Sequence, residues 1–202
     1  MNKKRQKRKF PLFLSALSAA ASAFLLIACS SVKAPQALLN KVYITNTKSV
    51  YPLPPSSIPK DSGDCWYFQG QFNNSSLNAV LYMEQSNDEI HLLLVNEMGL
   101  EAAEINFNST ECTIESPFLP KKLKGEYIIL DFQNAFAPLN MLENHYKKSG
   151  LTFTEEKTEN SKVRKLYSGK KLIEEITETE KTVTIKNYYR TYTYILTLPE
   201  EF

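Results

Sequence analysis

From Asp64 to Leu198 the chain is written in short apolar runs cut at near-regular intervals by turn residues, and that punctuation constrains the fold more than any other feature. The runs predict strands at Cys65–Phe72, Ala79–Gln85, Ile90–Val95, Leu100–Phe107 and Cys112–Glu115, with residues 73–76, 86–88, 97–99 and 108–110 as turns. Strands joined so tightly must run antiparallel. The period then changes. Leu123, Tyr127 and Leu130 recur at helical spacing after Pro120 and Lys121, and Pro138 restarts a second short helix carrying Leu139, Leu142 and Tyr146, ended by Gly150. Strand patterning returns at Leu151–Glu155, Val163–Tyr167, Leu172–Thr177, Val183–Tyr189 and Tyr192–Leu198. Ten strands with one helical interruption predict a mainly β domain with a few helices. The expected architecture is a single, strongly curved antiparallel sheet, an open barrel whose concave side the helices partly fill. A hydrophobic fraction of 43% and an aromatic fraction of 11% in 202 residues suffice for one packed core, and three cysteines exclude a disulfide-dense scaffold.

The N-terminus follows different rules. Six of the 24 basic residues (Lys3, Lys4, Arg5, Lys7, Arg8, Lys9) precede an apolar run from Phe10 to Ala28 that only Pro11 interrupts. Residues 1–28 therefore read as a secretory signal peptide, the other reading being an uncleaved membrane anchor. The run ends in Leu26-Ile27-Ala28-Cys29, which resembles a bacterial lipobox. The resemblance implies that Cys29 becomes the lipidated first residue of the mature chain, a stable anchor when it carries two or more acyl chains. With Ser30 next, it further implies the periplasmic face of the outer membrane in a bacterium that has two membranes. Residues 29–62 hold Pro35, Pro52, Pro54, Pro55 and Pro59 with Ser and Thr between them, and read as the lipidated N-terminus and a semi-extended tether. Residues 63–202 read as the folded domain. Without the six leader cations, 18 basic residues face 22 acidic ones, and the basic footprint of a nucleic-acid binder is gone.

Three motifs in the folded part carry a family resemblance: the hairpin Asn96-Glu97-Met98-Gly99-Leu100-Glu101, the helix opening Lys122-Leu123-Lys124-Gly125-Glu126, and Pro138-Leu139-Asn140-Met141-Leu142. In that order they resemble the LolA/LolB fold of periplasmic lipoprotein carriers and outer-membrane lipoprotein receptors. The stretch Leu123–Ile128, then Asp131, Gln133, Phe136–Leu139 and Gly169–Ile176, is similar to a family of lipoproteins of unknown function found beside aryl-polyene biosynthesis genes. The resemblance implies a LolB-like half-barrel with a hydrophobic trough, for which Trp66, Phe68, Leu81, Leu92, Leu94, Ile105, Ile185, Tyr194 and Leu196 are the candidate lining; read without it, each is simple core. It gives Met98 and Leu100 a role in inserting into lipid or a lipidated cargo, the alternative being a tip folded back onto the helices. Tyr127, Ile128, Leu130, Phe132 and Phe136 are then either a movable helical plug or ordinary helix-to-sheet packing. Asp131 and Gln133 either read a polar head group or cap and solvate the helix.

Enzyme chemistry finds little support. His91 and His145 are the only histidines and have no metal-ligand spacing around them, and six glycines carry no phosphate-loop or dinucleotide pattern. The pairs Glu155-Glu156 and Glu174-Glu175 are adjacent in strands, so their members point to opposite faces. Cys65 and Cys112 either pair in an oxidising compartment or stay reduced and buried. The expected protein is a non-enzymatic envelope lipoprotein without cofactor or metal. It binds acyl chains or a lipidated or polyene cargo and helps deliver it to the outer membrane, with a periplasmic carrier protein as partner. The alternative is a structural or adaptor lipoprotein that docks a partner in an envelope complex.

Overall fold

The structure, a computed structural model, describes residues 39–199 apart from 61, 63, 64 and 74. The leader, Cys29 and the first part of the tether lie outside the described residues. Among the described residues there are twelve strands and two α-helices: β1 (Val42–Tyr43), β2 (Ser49–Val50), β3 (Cys65–Phe72), β4 (Ser75–Gln85), β5 (Glu89–Asn96), β6 (Glu101–Asn108), β7 (Cys112–Glu115), α1 (Gly125–Phe136), α2 (Leu139–Lys147), β8 (Thr152–Lys157), β9 (Lys162–Ser168), β10 (Lys171–Glu178), β11 (Thr182–Asn187) and β12 (Tyr192–Thr197). A 3-10 turn, Pro55–Ser57, completes the set. No helix among the described residues is long and apolar enough to cross a membrane.

Strands β3 to β12 form one ten-stranded sheet in the order β7-β6-β5-β4-β3-β12-β11-β10-β9-β8, every pairing antiparallel. It consists of two five-stranded meanders joined where β3 pairs with β12. The edges β7 and β8 are not neighbours, so the sheet does not close into a barrel. That order fixes the place of the helices. The chain leaves one edge at β7 and re-enters at the other edge with β8, so the connection must cross the width of the sheet, and α1 and α2 carry it over one face. Alternation along each strand turns that face apolar: Trp66, Phe68 and Phe72 of β3 are buried while Tyr67, Gln69 and Gln71 between them are exposed.

Most predicted strand boundaries stand within a few residues. The largest difference is β4, which starts at Ser75 rather than Ala79, because pairing with β3 continues to Phe72 opposite Ser75 and overrides the polar residues in between. The turn there shrinks accordingly, and Asn73 takes a left-handed φ of 36°.

Residues 39–60 depart from the expected tether. Val42, Ile44, Val50 and Leu53 are buried with Leu130 of α1, Leu142 and Tyr146 of α2, and Phe153, while Ile58 joins the core against the sheet. Gln133 fixes the segment by accepting from the Leu53 N–H (2.8 Å) and donating to the Leu53 carbonyl (2.6 Å). Proline, which reads as linker in sequence, here keeps an extended strap in shape while the apolar residues between prolines bury. The described fold therefore begins by residue 39, not 63, and α1 lies between this strap and the sheet.

Candidate functional site

All nine predicted trough residues lie on the helix-covered face and are buried. The register brings them side by side: Trp66 opposite Leu81 and Leu81 opposite Leu94, Phe68 opposite Leu196, Tyr194 opposite Ile185, and Leu92 opposite Ile105. Aromatic rings cluster at the β3–β12 seam, with Tyr194 5.5 Å from Phe68 and 5.7 Å from Phe72, centroid to centroid. Gly70 faces Tyr194 at the centre of this seam. A Cβ on Gly70 would approach the Phe68 ring to 2.8 Å and the Phe72 ring to 2.9 Å, so glycine is what allows the rings to meet.

α1 covers this face. Ile128, Ile129 and Phe132 pack into the same core, and about 10 Å³ of space remains among Phe68, Leu92, Ile128, Phe132 and Tyr194. The two ends of the β3–β12 seam are different. At one end an apolar cleft of about 470 Å³ opens among Phe72, Pro120, Leu123, Tyr127 and Tyr192. At the other, a cleft of about 430 Å³ opens over Trp66, Phe136, Val183 and Leu198, flanked by Lys162 and Glu178. Helix side chains thus fill the middle of the face and leave both mouths open.

Of the predicted plug residues, Ile128, Phe132 and Phe136 pack towards the sheet, the Phe136 ring centroid lying 6.0 Å from that of Trp66 and 6.1 Å from that of Phe132. Leu130 points instead into the second core, under the strap and against α2. Tyr127 packs against that core too, with the Arg190 guanidinium 4.0 Å above its ring. The sheet-facing set is therefore Ile128, Ile129, Phe132 and Phe136. Helical spacing from Leu123 selects the strap-facing stripe, because α1 is apolar on two sides and periodicity does not tell which side meets the sheet.

Asp131 and Gln133 do not face a head group. Gln133 holds the strap, and Asp131 accepts a hydrogen bond from the Tyr192 hydroxyl (2.6 Å) inside the protein. Beside them Asn134 donates to Glu174 (2.6 Å) and accepts from the Tyr146 hydroxyl (2.7 Å). Burial pushes the Asp131 carboxyl up to about 6, and it drives Glu174 well above the usual carboxylate range, helped by the charge of Asp131. Arg164 donates from Nη1 to the carbonyls of Asn134 (2.9 Å), Ala135 (2.7 Å) and Ala137 (2.9 Å), and from Nε to Glu155 (2.7 Å). It thereby satisfies the open carbonyls at the end of α1. Sequence alone marks this network faintly: Asp131, Gln133 and Asn134 interrupt an otherwise apolar helix, and strand alternation turns Arg164 and Glu174 inward.

The hairpin tip between β5 and β6 stands clear of the helices, with Met98 77% and Leu100 56% exposed. Its shape is fixed. Gly99 has φ +75°, and the Asn96 carboxamide oxygen accepts from the N–H groups of Met98 (3.0 Å) and Leu100 (2.9 Å). Cys65 and Cys112 are free thiols. They sit on β3 and β7, four strand spacings apart, roughly 19 Å along the sheet and far beyond disulfide reach. Burial, with the charges of Glu126 and Glu111, raises the Cys112 thiol to about 12. His91 pairs with Glu104 at 3.0 Å on the outer face, and His145 is set edge-on against Tyr146. Among the described residues no group of His, Cys, Asp and Glu side chains is arranged to hold a metal ion.

A family model described as a protein of unknown function (DUF3261) matches residues 67–198. No curated protein matches the chain.

Proposed function

Because the chain belongs to that family of unknown function, we propose its role from the site itself: it is a lipid-anchored envelope protein that shelters an apolar tail, acyl or polyene, on the helix-covered face of its sheet and hands it to the outer membrane. The observation that carries this reading is the open apolar cleft at the Phe72 end of a buried apolar face whose middle is filled by one helix, with a second, half-polar cleft at its Trp66 end. In this reading ten twisted strands form a LolB-like half-barrel, and α1 is the element that yields. Each methylene taken from water contributes about 0.8 kcal/mol, so a single chain offsets the cost of displacing part of the Ile128–Phe136 face. No bond is made or broken. Cys29 supplies the anchor, Met98 and Leu100 meet the bilayer or the cargo, and a periplasmic carrier delivers what is bound.

The test is the content of the purified full chain. Native mass spectrometry of protein extracted from its own envelope is expected to show a bound apolar-tailed molecule, at higher occupancy in a Phe132→Ala variant, whose interior is larger. An empty protein, with Phe132→Ala equally empty, contradicts the reading. One observation favours the alternative of a structural or adaptor lipoprotein: the middle of the face is already filled, with only about 10 Å³ left.

A further inference from the structure

The cleft at the Phe72 end has a feature that the sheltered face lacks. Its floor is apolar, formed by Phe72, Leu123, Tyr127 and Tyr192, yet its lining includes Lys121, Lys122 and Arg190 and no carboxylate. Both lysines are exposed, so their ammonium groups stand in water at the rim. Arg190 is held in place: it donates to the Tyr43 carbonyl and stacks on Tyr127, its guanidinium carbon 4.0 Å from the ring centroid. Of the buried carboxyls outside the lining, Asp131 accepts from the Tyr192 hydroxyl (2.6 Å), and its charge and that of Glu174 act on Arg190 from behind the cleft. Three cations around an apolar cleft with no counter-charge in its lining form a site for an amphiphile with a negative head.

Two further observations bear on the same place. The non-glycine residues with positive φ among the described residues are Asn73 (36°) and Thr191 (58°), and both line this cleft. Left-handed backbone is costly at a β-branched residue, and here the Thr191 hydroxyl donates to Asn73 (2.7 Å), tying the β3–β4 and β11–β12 turns together at the rim. The volume sets the tail. Clefts that hold small molecules run from about 300 to 1,000 Å³. At roughly 30 Å³ per non-hydrogen group, near the share of a liquid water, the cleft of about 470 Å³ takes on the order of fifteen such groups. That suits one chain, not a bundle of chains.

We infer that this cleft binds the head-proximal part of a single-chain amphiphile with a carboxylate head, the carboxylate lying among Lys121, Lys122 and Arg190 and the tail starting along Phe72, Leu123, Tyr127 and Tyr192. The inference rests on the tail-sheltering reading above and adds to it the charge of the head and the number of chains.

The experiment uses the full chain in phosphatidylcholine nanodiscs and two photoreactive probes with the same diazirine-bearing dodecyl tail, one ending in a carboxylate and one in a trimethylammonium. Crosslinked peptides are mapped by mass spectrometry. The carboxylate probe is expected to label residues of the Phe72–Leu123–Tyr127 cleft at least about tenfold more than the cationic probe, and the double variant Lys121→Glu/Lys122→Glu to erase that preference without loss of fold. Equal labelling by both probes overturns the carboxylate assignment and leaves the sheltering role standing. Absence of labelling anywhere on the helix-covered face, with either probe, overturns both.

Discussion

Asp131 shows at the level of one residue how the fold stores a dependence on pH. Its carboxyl lies inside the protein, hydrogen-bonded by Tyr192 and next to Glu174, and burial raises it from 3.8 to about 6. A carboxyl raised on folding binds its proton more tightly in the folded state. The stability this gives is complete below about pH 4 and is lost as pH climbs through 6, and Glu174, raised for the same reason, carries the loss further upward. His145 works in the opposite sense, since burial lowers it and its share of stability falls away in acid. The comparison that reads the carboxyl pair is therefore between the natural chain and Asp131→Asn, in which the His145 contribution cancels and Glu174 loses the neighbouring charge that helps to raise it. The melting temperature of the natural chain relative to Asp131→Asn is expected to drop as pH rises from about 4 through 6; a difference constant across that range contradicts a proton held at Asp131.

At the level of elements, the β5–β6 hairpin is a tip whose two large apolar side chains stand mostly in solvent. Replacing Met98 with Glu should therefore leave stability within about 0.5 kcal/mol, as for other exposed sites, and still lower the transfer of a fluorescent acyl cargo to vesicles. Transfer at the natural rate from a folded Met98→Glu protein removes the tip from the account. The elements are legible in the sequence to unequal degrees, and the reasons are physical. Strand alternation is read directly from residues such as Trp66, Phe68 and Phe72, so the inner face is identifiable before its neighbours are known. The strap is not. Its buried Val42, Ile44, Val50 and Leu53 lie among polar residues and prolines in pieces too short to show a period, and only the contact with α1 and α2 gives them a face. Of the expected plug residues, Leu130 faces the strap and Tyr127 the cleft beside Phe72 and Tyr192, because α1 is covered on two sides. The Arg164 and Glu174 network is only faintly legible, because alternation turns both inward but their partners lie distant along the chain.

At the level of the whole molecule, the crossing from β7 to β8 is what makes the protein a layered object: a strap, a pair of helices and an open ten-stranded sheet, with α1 in the middle. Polar contacts hold α1 at both ends: Arg164, Glu174 and Gln133 fasten its second half, Glu126 in its first turn accepts from Asn40 of the strap (2.7 Å), and Tyr127 borders the cleft of about 470 Å³.

The chain contains one tryptophan, Trp66, and it lies on the helix-covered face beside Leu81 and Phe136. Its fluorescence in the full chain, titrated with a fatty acid brominated near the end of its tail, reports whether a tail reaches that face. The account predicts saturable quenching, weakened when the bromine is moved next to the head group. Binding of the fatty acid with Trp66 unquenched at saturation contradicts it.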